Sequence, residues 1–237
     1  MAVSRVVALT ACAGFCLSAM NVAQASFVLT LTSGADSVVV SDDQLSGVLT
    51  DSGLTTTAAD GNITDPGLIT YNASIGSFTV SVTTGVSDPV IGPGRLDLNS
   101  IEVSGGAGTL DIGLTDTGYS GSVSQYSMGF GGTTDGTLGF TFLYGTANQE
   151  FVGDVMSTVS GITGAGLTGA FGSETSAAVN TTSDPYSLTI LATIEHTGAN
   201  QITSFDAIAT PVPVPAAVWL FGSGLLGLVG VARRRRT

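Results

Sequence analysis

The chain has 237 residues, 43% of them hydrophobic and 10% charged, with 33 glycines, two cysteines, no lysine and a formal net charge of −12. The lack of lysine excludes Schiff-base, Ser-x-x-Lys and P-loop chemistry, and so acidic a chain repels nucleic acid and anionic lipid. The charge is also unevenly placed: residues 26–210 hold Arg95 alone against all 18 acids, a net charge of −17 that suits solubility and gathers divalent cations only diffusely.

The predicted elements begin with a secretory signal over residues 1–25. Arg5 precedes an apolar region over 6–20, and Ala23 and Ala25 flank Gln24 as the small residues a signal peptidase requires, leaving Ser26 as the first mature residue. A lipoprotein signal ending at Cys12 is the competing reading, but its apolar region would be only about six residues long, short of the usual run. Cys12 and Cys16 both lie in the signal, so the exported part has no thiol for disulfides, catalysis or metal ligation.

Residues 26–210 read as one all-β ectodomain, rich in Gly, Thr, Ser and Val and without a long run of helix formers. In chain order the predicted strands are 27–32, 37–40, 67–72, 77–83, 95–104, 109–115, 126–130, 138–144, 188–194 and 203–207. The clearest alternate with period two. Their inward residues are Phe78, Val80 and Val82; Leu110, Ile112 and Leu114; Leu138, Phe140, Phe142 and Tyr144; and Leu188, Ile190, Ala192 and Ile194. Within 95–104 the apolar parity switches between Leu98 and Ile101, which predicts a bulge or bend near Asn99 and Ser100. Pro66, Pro89, Pro93 and Pro185 all fall between strands. The stretch 151–185 is small and Gly-rich, with Met156, Ile162, Leu167 and Phe171 scattered through it, and reads as a long surface loop or one short helix. About nine to eleven short strands imply two packed antiparallel sheets, a β-sandwich of jelly-roll or immunoglobulin-like kind. A β-solenoid would need a fixed period, and there is none.

Residues 211–237 close the chain with Pro213 and Pro215, an apolar run over 216–232 that includes Trp219, and the basic tail Arg233, Arg234, Arg235 and Arg236. As a single transmembrane helix that run spans about 25 Å, just enough for a bilayer core. Basic clusters resist translocation, so the arginines are expected in the cytoplasm and the ectodomain outside the inner membrane.

The string VPVPAAVWLFGSGLLGLVGVARRRR resembles the PEP-CTERM sorting signal of Gram-negative bacteria. By that resemblance Pro213 and Pro215 match the motif's two prolines, Trp219 begins the helix and Arg233 to Arg236 form the tail. Val214 stands where the usual residue of the motif is Glu. The resemblance implies an exosortase-type protease as partner beside signal peptidase. The membrane-anchored intermediate would then lose its helix and move to the cell surface or outside the cell. The segments RLDLNSIEVS, GGAGTLDIGLTDTGYSG, GGTTDGT and DPYSLTILATIEHTGANQITSFDA also resemble exported β-rich proteins that often carry this tail and have no assigned activity.

Catalytic groups are sparse. The single histidine, His196, shares the parity of Leu188 to Ile194 at the end of a strand and reads as a hydrogen-bonded edge histidine. No Gly-x-Ser-x-Gly elbow occurs. Paired carboxylates could still serve a glycosidase, with Glu102, Glu150, Glu174 and Glu195 as candidates, Glu195 alternating away from the core. No cofactor is expected. The segments over 60–65 and 105–111 have the spacing of calcium loops but read as tight Gly/Asp turns, the first lacking the bidentate Glu of an EF-hand. Sequons at Asn62, Asn72 and Asn180 point to exposed loops. Two functions fit: a non-enzymatic exported surface or matrix protein associated with exopolysaccharide or biofilm, or a carbohydrate-binding module or weak glycosidase. The second expects exposed aromatics, with Tyr119, Tyr126, Tyr144 and Tyr186 as candidates.

Overall fold

The computed structural model of the chain describes residues 26–42, 48–51, 54–56, 60–88, 90–91, 94–163, 169–179, 184–212, 220–221 and 223–226. The alternating segments fold into strands as the period-two pattern requires. In chain order these are β1 (Phe27–Ser33), β2 (Asp36–Ser41), β3 (Val48–Asp51), β4 (Leu54–Thr56), β5 (Leu68–Ile75), β6 (Phe78–Val86) and β7 (Leu96–Gly105). They continue with β8 (Gly108–Tyr119), β9 (Gln125–Thr134), β10 (Thr137–Gly145), β11 (Asp154–Thr163), β12 (Gly169–Ala178), β13 (Tyr186–His196) and β14 (Gln201–Pro211).

All pairings are antiparallel. One sheet runs β11-β10-β13-β8-β1-β2-β3-β4 and the other β12-β9-β14-β7-β6-β5. The sheets pack as a sandwich around one core that includes Leu29, Leu31, Val80, Leu98, Ile112, Phe140, Phe142, Ile190 and Phe205, all essentially inaccessible to solvent. Burial of this kind is worth about 1.5–3 kcal/mol for each large aliphatic side chain and dominates the stability of a domain without crosslinks.

Every predicted strand is present, and four more accompany them. β3 and β4 are short additions to one sheet edge. The stretch 151–185 holds neither a long loop nor a helix among its described residues; it contains β11 and β12, which end the two sheets side by side. In β11, Met156, Val159 and Ile162 all pack against the core at a spacing of three, because register shifts against β10 at Leu138/Phe140 and Phe142/Leu143 each consume a residue. The predicted bulge in β7 is real: Asp206 of β14 faces both Asn99 and Ser100, Ser100 takes a left-handed backbone with φ of 54°, and its N–H donates to Asp206 Oδ1 at 2.5 Å. Leu98 and Ile101 thereby both point inward.

Ser26 precedes β1, its N–H donating to Thr117 Oγ1 at 2.8 Å and its hydroxyl to Glu150 Oε1. β14 runs through Pro211, and Val212 N–H donates to Gln125 O at 2.8 Å, two residues past the expected boundary. Ala23, Ala25, Pro213, Pro215, Trp219 and Arg233, Arg234, Arg235 and Arg236 lie outside the described residues. Residues 220–221 and 223–226 of the tail are helical with exposed side chains, and among the described residues no helix is long and apolar enough to cross a membrane.

Candidate functional site: a glycine-floored groove on the six-stranded sheet

The outer face of the six-stranded sheet is built from rows of residues set by strand register. One row crosses four strands as Glu174 (β12), Gly129 (β9), Ile208 (β14) and Asp97 (β7). The next runs Gly172, Gly131 and Asp206 and reaches the bulge at Asn99 and Ser100. Three neighbouring outward positions, Gly129, Gly131 and Gly172, therefore carry no side chain, and a shallow groove of about 390 Å³ lies over them. Its walls include Asp97, Asn99, Asp206, Ser173, Glu174 and Ile208.

These glycines are not required by the backbone or by packing. None of the three adopts a positive φ. A Cβ at Gly129 would come no nearer than 3.5 Å to Ile208, one at Gly131 no nearer than 3.4 Å to Phe171 O, and one at Gly172 no nearer than 3.7 Å to Phe130 O, all ordinary contacts. Strand interiors disfavour glycine on entropy and packing, so the trench stays open against local preference.

The walls are acidic and amide-bearing. Burial, and then the charge of Asp206, raises the Asp97 carboxyl to about 6, while a hydrogen bond with Asn99 partly offsets this. Asp206 accepts from Ser100 N–H. Glu174 accepts from Ser127 Oγ, two residues before Gly129 on β9. Carboxylates and amides around an open backbone floor can hydrogen-bond the hydroxyls of a sugar chain, and three acids in one groove favour a neutral chain over an anionic one. A carboxyl titrating near pH 6 beside a second carboxylate is also the polarisation that glycoside hydrolysis uses.

The structure distributes the sequence candidates widely. Glu174 lies in the groove. Glu102 and Glu195 are exposed on other strands, and Glu150 holds Ser26. His196 is 2% exposed, its Nε2 2.9 Å from Thr203 Oγ1 and its ring against Phe78; burial lowers its pKa. It is a core residue at the end of β13, deeper than the rim position expected. The proposed aromatic platform is overturned: Tyr119, Tyr126, Tyr144 and Tyr186 are all buried and pack on one another, with the Tyr126 and Tyr186 hydroxyls 2.9 Å apart. Tyr126, Tyr144 and Tyr186 face inward because each shares the parity of its strand's apolar residues, whereas Tyr119, of opposite parity to Leu110, Ile112 and Leu114, is turned inward by the register shift against β13 at Tyr186/Leu188. The 60–65 segment is a turn in which Asp60 Oδ1 accepts from Asn62 N–H and Thr70 N–H, and 105–108 is the tight connection of β7 to β8. Among the described residues no three His, Cys, Asp or Glu side chains converge to hold a metal ion. Asn72 lies within β5, where a loop was expected, and Asn180 is outside the described residues.

Asp97, Asp206 and the glycine floor were missed from sequence. The signal lay in Ser127–Gly131, where Met128 and Phe130 alternate with glycine in the place that Ser or Thr takes in other strands.

No protein-family model matches the chain, and no curated protein matches it. Among solved structures it is similar to TmCBM61 in complex with beta-1,4-galactotriose, at 10% identity over 48% of this chain and 70% of that one, with a TM-score of 0.33. It is similar to the enzymatically active domain of bacteriophage CBA120 tailspike protein 4 at 9% identity over 61% of this chain, spanning only 19% of that chain, with a TM-score of 0.36. A mutant of the family 29 carbohydrate-binding module CBM29-2 is 12% identical over 76% of this chain and 92% of that one, with a TM-score of 0.22. The likeness is one of all-β architecture and carries nothing about ligands.

Proposed function

We propose that this chain is an exported, non-enzymatic β-sandwich that associates with extracellular polysaccharide through the glycine-floored groove. The observation that carries the reading is the open trench itself: three adjacent outward glycines that neither φ nor packing demands, walled by hydrogen-bonding groups. Delivery by the N-terminal signal and the PEP-CTERM-like tail belongs to the same proposal. It is supported by the exposed apolar side chains of Leu220, Phe221, Leu225 and Leu226, which lie beyond the sheet hydrogen bond of Val212, the last among the described residues.

The test is retention of the protein on neutral exopolysaccharide from its own cells. Gly129→Val with Gly131→Val fills the trench with side chains that strands favour, and should weaken retention at least about tenfold while leaving the melting temperature within a few degrees. Retention equal to wild type would sink the reading. Intact mass of the same preparation checks delivery: the chain should begin at Ser26 and lack its arginine tail only when an exosortase-type protease is present.

A second reading, glycoside hydrolysis, is favoured by one observation, the raised carboxyl of Asp97 beside Asp206. It expects new reducing ends during the same incubation, lost in Asp97→Asn.

A further inference from the structure

Four strands end the two sheets, β4 and β11 in one, β5 and β12 in the other. An unpaired edge is a template for another chain, and proteins blunt such edges by shortness, bulges, charge or cover. Three of the four are blunted. β4 has three residues. β5 has a register shift between Ile69 and Tyr71, and its outer side is occupied where Gly61 N–H donates to Thr70 O and Thr70 N–H donates to Asp60 Oδ1. β11 is distorted by two register shifts and holds Gly161 at a φ of 71°.

Among the described residues β12 is neither short nor bulged nor paired along its outer side. Its ten residues pair with β9 in unbroken register from Gly169↔Thr134 to Ala178↔Gln125, without proline, lysine or arginine. Glu174 is its only charge, and among the described residues nothing pairs with its outer edge.

We propose that β12 pairs antiparallel with β12 of a second copy across a two-fold axis, joining two six-stranded sheets into one of twelve strands. Opposed residues of an antiparallel pair share a face, so the axis must pass through a residue if Phe171 and Thr175 are to stay on the core side in both copies. An axis through Glu174 would oppose two carboxylates. An axis through Ser173 sets Glu174 against Gly172, where there is room and no like charge, and still pairs residues 169–177. A second copy is the fitting occupant because the interface is self-complementary about that axis. β12 also presents only one charge in ten residues of a domain of charge −17, so that two copies meeting there oppose little like charge. Pairing lays the two glycine trenches side by side, and a polysaccharide long enough to cross both is then held at two sites.

The test uses the full-length chain in a Cys12→Ser, Cys16→Ser background. Ser173→Cys places two thiols opposite each other on the axis, with Cβ atoms about 4.5–5.5 Å apart, within reach of a disulfide after small adjustment. Mild oxidation should give a dimer band that reduction removes, while Ser74→Cys on the blunted edge β5 should stay monomeric. Ala170→Lys with Ser176→Lys, which oppose one another across the axis, should reduce the Ser173→Cys crosslink at least tenfold without lowering the melting temperature. Should Ser173→Cys fail to fold, the sedimentation mass of the unmodified chain decides, and a dimer is expected. A monomer at all concentrations, no crosslink from folded Ser173→Cys, equal crosslinking at Ser74→Cys, or insensitivity to the paired lysines overturns the proposal.

Discussion

Acidification is expected to stabilise the fold through Asp116, by about 2 kcal/mol between pH 7 and pH 4.5. Asp116 is 5% exposed, and burial raises its carboxyl from 3.8 to about 6, with the charge of Asp42 adding to the rise and hydrogen bonds from Ser87, Thr117 N–H and Tyr119 opposing it. A native pKa above the unfolded value means that the native state binds more protons between pH 3.8 and about 6, so stability falls as pH rises through that window. Asp116 Oδ2, Ser87 Oγ, Tyr119 Oη and Arg95 O form a line of three hydrogen-bond contacts. Ser87 donates to Asp116 and Tyr119 to Arg95 O, so these hydrogen bonds favour the ionised carboxyl and burial outweighs them. His196 works in the opposite direction, since its lowered pKa makes the stability it contributes disappear as pH falls below 6.5. The measurement is therefore the difference between wild type and Asp116→Asn in urea unfolding across pH. The amide can donate to Ser87 and still accept from Thr117, so the variant should be more stable at pH 7 by about 1–3 kcal/mol, with the gap closing toward pH 4. A variant less stable at pH 7 would mean that the fold favours the ionised carboxyl, the opposite of a raised pKa.

Two adjacent glycines in β9 should differ by several kcal/mol when each is replaced by alanine. At Gly132 a Cβ would lie 2.0 Å from Ser204 O and 2.7 Å from Phe205 Cα, both backbone atoms of β14 that cannot swing aside. Gly132→Ala must part β9 from β14, an interior pairing of the sheet, and a loss of about 3–5 kcal/mol or failure to fold is expected. Gly131→Ala meets nothing nearer than 3.4 Å and should stay within about 0.5 kcal/mol of wild type, or gain slightly from the lower entropy of its unfolded chain. Urea midpoints of the two variants decide this. Equal destabilisation would mean that Gly131 is structural, and the trench would then be a by-product of packing.

The strands that sequence exposed are those with large apolar residues at every second position, such as Leu138 to Tyr144 and Leu188 to Ile194. β12 stayed hidden because only Phe171 among its inward residues is large, and β11 because its bulges turned a period of two into a spacing of three that resembles a helix. The parity switch at Leu98 and Ile101 announced its bulge, since a core-facing strand cannot change face without an extra residue. The groove was harder to see. It depends on register, which brings Glu174, Gly129, Ile208 and Asp97 from four separate strands into one row, and no local pattern encodes that order. The tyrosines were misjudged for the opposite reason: Tyr144 already shared the parity of Phe140 and Phe142, and the pattern alone would have placed it inside.

The central claim is that sugar chains lie over the glycine floor, and amide chemical-shift mapping of the exported protein titrated with oligosaccharides cut from its cells' neutral exopolysaccharide tests it most directly. Shifts should be confined to residues around 97–99, 129–131, 172–174 and 206–208, and should be absent from Gly129→Val with Gly131→Val. Shifts centred on the eight-stranded sheet, or no shifts at saturating oligosaccharide, would contradict it.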